Sequence, residues 1–138
     1  MNPKPQKVVV LPCSGIGKVY GALARETTYE LMDRVRPGMV VTACLPLLVV
    51  EDPETRQLVA GNPVITIDGC PKSCARKCVE AQGVTPRETI QAMDFYKAHK
   101  DCKPDGIAEL DENGRRLAAM AADEMAPVVD ALVAGGEK

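Results

Sequence analysis

Three short apolar runs, each meeting a cysteine, limit what this chain can fold into more than any other feature. KVVVLPC (7–13), MVVTACLPLLVV (39–50) and VITID (64–68), the last followed at once by GCP, are rich in β-branched residues and bounded by turn residues. That pattern predicts strands buried on both faces, the second of them broken or turned near Pro46. Between the first two runs, Val19, Leu23, Thr27, Leu31 and Val35 recur at intervals of four, the apolar stripe of a helix that RPG ends. EDPETRQLVAGNP has room for a short helix, and GCPKSCARKCVEAQG turns the third run into another helix that Gly83 can close. Strand, helix, strand, connection, strand, helix predicts a parallel sheet with right-handed crossovers. The expectation is an α/β fold, three-layer and Rossmann-like, with a mainly parallel sheet whose strands begin near residues 7, 39 and 64.

The region around residues 84–110 reads ambiguously, and the last segment reads as helical. Thr85-Pro86-Arg87-Glu88 has the form of a capping box with proline at the first helical position. Leu117, Met120, Ala121, Met125, Val128 and Leu132 keep helical spacing toward the end, with Pro127 expected to kink or split that helix. No linker or repeat divides the chain. It reads as a single domain over residues 1–138, with a core at 7–83 and a C-terminal helical extension at 84–138.

Composition removes several function classes. A net charge of −2 argues against a general nucleic-acid binder, and Tyr20, Tyr29, Phe95 and Tyr96 are too few aromatics for base stacking. MVVTACLPLLVV is too short to cross a bilayer as a helix, and MNPKPQ leads into only VVVLP, which is no signal peptide. No membrane or nucleic-acid partner is expected, and the location expected is the cytoplasm. In that reducing compartment, six clustered cysteines point to metal or redox chemistry rather than to a disulfide framework.

Cys13 follows the first strand, Cys44 lies in or at the end of the second, and Cys70 follows the third. Side chains just beyond the carboxyl ends of parallel strands converge on one crevice, so these three cysteines are expected to share a site. Cysteines four apart on a helix lie about 6 Å apart, and Cys78 would lie about 12 Å along a straight helix from Cys70. Zn–S bonds of about 2.3 Å bring paired sulfurs within roughly 4 Å, so Cys74 is the better fourth ligand and Cys78 and Cys102 fall outside the set. A helix start at Cys70, with Pro71 as first helical residue, and the charges of Lys72, Arg76 and Lys77 would favour thiolates, although those bases also suit a solvated helix face.

Other motifs are weaker. CSGIGK has the look of an anion-binding turn but lacks the spacing of a phosphate loop. His99, three residues before Cys102, reads as an exposed helix end, with a second thiol or metal site alongside Cys78 as the alternative.

CSG after one strand, a lone cysteine after the next and IDGCPKSCARK after the third resemble the DGC-domain family of predicted zinc-binding proteins, over about residues 7–83. The chain departs from the family pattern in the compact CSGIGKVYG and in CLPLL after Cys44. The resemblance implies metal-ligand roles for Cys13, Cys44, Cys70 and Cys74, the set that spacing also selects. The function expected is therefore a small protein holding Zn²⁺ through four thiolates in a structural, sensing or storage role. The alternatives are a thiol or persulfide oxidoreductase or sulfur carrier using the same cysteines, and an iron–sulfur protein. A protein partner or a small molecule at the strand-end pocket stays open.

Overall fold

The run VVVLP forms β1 (Val8–Pro12), and each of its residues is buried. The computed structural model describes residues 7–13, 19–69, 71–101, 103–105 and 109–134. After β1 come α1 (Val19–Glu30), a π-helical segment (Leu31–Val35), β2 (Val40–Val41), α2 (Leu45–Val49), α3 (Pro53–Gly61) and β3 (Val64–Asp68). The chain continues with α4 (Cys74–Glu80), β4 (Glu88–Gln91), α5 (Ala92–Ala98) and α6 (Glu112–Ala134). The four strands pair in the order β2-β1-β3-β4, and every pairing is parallel. The expected α/β fold with its parallel sheet is therefore present, with strands at the three predicted places.

Strand alternation sorts the core. Val8 and Val10 of β1, with Ile65 and Ile67 of β3, pack with Leu23, Phe95, Leu117 and Met125 from α1, α5 and α6. Val9, Leu11 and Val64 point the other way and pack with Leu48, Val59 and Val79 from α2, α3 and α4. A period of two in the strands thus meets a period near four in the helices, and both faces of the sheet are covered. The stripe predicted for the first helix is buried at Leu23, Thr27 and Leu31. Arg36 donates its N–H to the Leu31 carbonyl at 2.9 Å, and Gly38, at φ +79°, takes the left-handed turn that leads back to the sheet.

Several local readings differ from the structure. The second apolar run holds only two strand residues. Thr42 Oγ1 donates to the Val10 carbonyl at 2.7 Å, and the run from Leu45 becomes α2 with Pro46 in its first turn, where a missing N–H costs nothing. Thr85–Glu88 does not start a helix. Arg87 donates its N–H to the Val64 carbonyl at 2.8 Å, and Glu88–Gln91 is the fourth parallel strand, with Ile65 facing Glu88 and Asp68 facing Gln91. The final helix is not split, because α6 runs through Pro127, which is exposed while Ala126 and Val129 are buried.

The helix α6 is also tied to α1 and its π-helical continuation by charge. Arg36 forms a two-bond pair with the Asp130 carboxylate, at 2.7 and 2.8 Å, and this pair holds the Asp130 carboxyl below the usual range. Arg34 bridges Glu30 and Asp123. Both pairs face water, so the apolar contact beneath them carries most of the stability. Leu117, fully buried in that contact, tests it: Leu117→Ala is expected to cost about 3 kcal/mol in urea unfolding. An unchanged unfolding midpoint would mean that α6 adds nothing to the core.

Candidate functional site

The last two residues of the third strand region set the geometry here. Alternation sends Val64, Thr66 and Asp68 toward α4, so that Gly69 turns toward α1. Asp68 is 2% exposed, and its Oδ1 accepts the N–H of Ala75 at 2.7 Å while Oδ2 accepts that of Arg76 at 3.2 Å. These are first-turn amides of α4, which have no partner within the helix. On the opposite side, a Cβ at Gly69 would stand 2.7 Å from Gly21 N and 2.9 Å from the Tyr20 carbonyl carbon. Only glycine lets the chain pass α1 so closely.

The helix therefore begins at Cys74, not at Cys70 with Pro71 as its first residue, because the cap comes from Asp68 six residues upstream of Cys74. Pro71 and Lys72 form a turn and Ser73 is the N-cap, at φ 54° and ψ 52°. The four-residue spacing from Cys70 to Cys74 is thus not a helical one, and the distance along a straight helix no longer ranks Cys78 against Cys74. Within α4 the pair with helical spacing is Cys74 and Cys78. Their surroundings differ: Cys74 is exposed, whereas Cys78 is partly buried against the cluster of Val9, Leu11 and Val79. Burial pushes the Cys78 thiol up, and the nearby Cys74 and Asp68 push it further in the same direction.

Cys13 is the residue after β1 and is partly buried. Its N–H donates to the Ile67 carbonyl and its Sγ accepts the N–H of Gly69, both at 3.0 Å. The Cys13 sulfur therefore lies against the residue that precedes Cys70. Cys44 is exposed and is the N-cap of α2, three residues beyond the last residue of β2. Cys13 and Cys44 line one cleft of about 550 Å³, together with Pro12, Tyr29 and Thr42. Beyond it α2 exposes Leu47 and Val49, and its C-cap Val50 is 72% exposed.

Cys70 itself, Cys102 and the SGIGK segment lie outside the described residues. Among the described residues, no group of three or more His, Cys, Asp or Glu side chains is close enough to hold a metal ion. His99 caps the end of α5 and lies 2.5 Å from Glu124 of α6 through Nε2. Of the basic residues near Cys74, Lys72 and Lys77 are exposed and Arg76 reaches Glu80 at 4.0 Å along the helix surface. Sequence reasoning missed Tyr29 and Thr42 on the cleft wall and Ser73 and Gln91 beside α4. Gln91 was hidden by the helical reading of its segment, while Tyr29 and Thr42 carry no local motif.

Two outcomes follow. Gly69→Ala should cost about 1–3 kcal/mol, because the blocking atoms are backbone atoms of α1 and cannot swing aside. A wild-type melting temperature for that variant would show that the approach is not tight. Cys78 should react with iodoacetamide more slowly than a free peptide thiol at pH 8, since only the thiolate attacks. Its rate should go on rising at pH values above the ordinary thiol range, because its folded-state pKa is raised. Mass-spectrometric rates at Cys78 that level off near pH 8.5 would contradict this.

No helix among the described residues is long and apolar enough to cross a membrane. No protein of curated function and no solved structure matches the chain. The sequence model of the DGC domain matches residues 9–113, from within β1 to the first turn of α6. The match includes Asp68 and Gly69, the pair that caps α4 on one side and meets α1 on the other, and the chain belongs to the DGC domain family.

Proposed function

We propose that this protein binds Zn²⁺ through the thiolates of Cys13, Cys44, Cys70 and Cys74, at the carboxyl edge of a three-layer, Rossmann-like sheet. One observation carries the reading: the Cys13 sulfur accepts the Gly69 N–H at 3.0 Å, which brings it against the residue joined to Cys70, in the same cleft as Cys44. The donor types fit a soft or borderline ion, and thiolate is the ligand that zinc and iron–sulfur centres share. A four-thiolate zinc site leaves no position for water, so the role proposed is structural, sensing or storage rather than hydrolytic. Free thiols in this number suit the cytoplasm. A small molecule or a partner protein would meet the site at the cleft beside Cys44.

The exposure of Cys44 and Cys74 favours a second reading, in which the same thiols carry sulfur or exchange disulfides. One preparation separates the readings. Protein purified without oxygen is expected to be colourless and to contain one zinc per chain. A brown protein with iron and sulfide would replace zinc by a cluster, and a colourless, metal-free protein would move the thiol reading to first place.

Serine at position 13, 44, 70 or 74 should each lower zinc content, whereas Cys78→Ser and Cys102→Ser should leave it unchanged. Loss of zinc with Cys78→Ser but not with Cys44→Ser would refute the ligand set. Chelator treatment should lower the melting temperature of the wild type. Because thiols must lose protons to bind, zinc affinity should fall steadily as pH is lowered from 8 to 5 in a competition titration.

A further inference from the structure

Among the described residues, Ser73 is the one next to a candidate thiol whose backbone is strained. It is 4% exposed and sits at φ 54°, a left-handed conformation that side-chain-bearing residues rarely adopt. Serine at an N-cap ordinarily turns its hydroxyl onto the helix, yet Ser73 makes no such bond, because Asp68 already occupies the amides of α4. Its Oγ instead accepts the side-chain N–H of Gln91 at 2.9 Å and lies 3.4 Å from the Pro71 carbonyl. Register explains the reach. Asp68 and Gln91 are paired Cα positions of β3 and β4, so both side chains leave the sheet on the same face, toward the same turn. The turn of Pro71, Lys72 and Ser73 that leads into Cys74 is thus held from its root by Asp68 and from the side by Gln91.

Strain of this kind persists where the surroundings over-determine a conformation. We infer that Gln91 is a positioning residue for the thiol site: its bond to Ser73 fixes the strained turn and so the direction in which Cys74 leaves it. This rests on the zinc-thiolate reading for its consequence, but the latch itself is a property of the metal-free chain. Among the described residues, the Gln91 side chain bonds to Ser73 and to none of the candidate ligands.

Gln91→Met keeps the length of the side chain and removes the donor, and Ser73→Ala keeps the strain and removes the acceptor. Each is to be compared with the full-length wild type by zinc competition and, without zinc, by amide exchange. Either variant should weaken zinc binding ten- to hundredfold, in the range seen when a ligand's supporting hydrogen bond is removed. Exchange at residues 72–76 should become at least about tenfold faster, while exchange in β1 and the urea midpoint change by no more than the loss of one hydrogen bond allows. The double variant should be no worse than Ser73→Ala alone, since that variant already removes the bond to Gln91 along with the hydroxyl's contact to Pro71. Zinc affinity and turn exchange within twofold of wild type would overturn the inference, and so would additive losses in the double variant. If the wild type takes up no zinc, the metal reading fails by itself, and the exchange of the turn and the double variant still decide the latch.

Discussion

The carboxylate of Asp68, buried where β3 ends, holds the candidate site to the sheet. Two amides of α4 depend on it, at 2.7 and 3.2 Å, and leaving such groups unpaired in a buried setting costs about 1–3 kcal/mol each. Because the strand alternates, the next residue must face the opposite side, where α1 passes too close for any side chain. Asp68 and Gly69 therefore join the sheet to helices on both of its faces within two residues. The turn from Pro71 and the helix that opens at Cys74 start from that junction.

The described thiols are not equivalent, and the fold makes them differ. Cys13 is an extension of β1: its N–H donates to the Ile67 carbonyl and its sulfur accepts the Gly69 N–H, which fixes the sulfur beside the Asp-Gly junction. Cys44 and Cys74 open short helices on the same side of the sheet and are exposed. Cys78, one turn later on α4, has its thiol drawn into the apolar cluster beneath the helix, where burial disfavours the thiolate. Two cysteines of one helix are thus divided between solvent and core.

Elements with a strong apolar period were legible. VVVLP and VITID are buried at every position, and the stripes of α1 and α6 are the residues that pack against the sheet and each other. β4 was not legible, because it is an edge strand with Glu88 and Thr89 exposed and has no apolar run to announce it. LPLLV looked like strand because a five-residue apolar segment fits either structure, and the Thr42 hydroxyl bond to β1 that helps end the pairing is invisible in one dimension. The start of α4 was misplaced for a related reason: Pro71 is a good first helical residue, but the cap comes from Asp68, outside the window in which capping motifs are read.

The sequence by itself determined the parallel α/β sheet, the helices that cover it and the identity of the thiols, since composition and periodicity are local properties that burial then enforces. Only the tertiary structure decided how those thiols are presented. Which cysteine faces the cleft, which packs against the core and which residues hold the turn before Cys74 depend on register between strands and on hydrogen bonds between distant residues. Asp68 beside Gln91, and Cys13 against Gly69, are such pairings, made only when the strands meet.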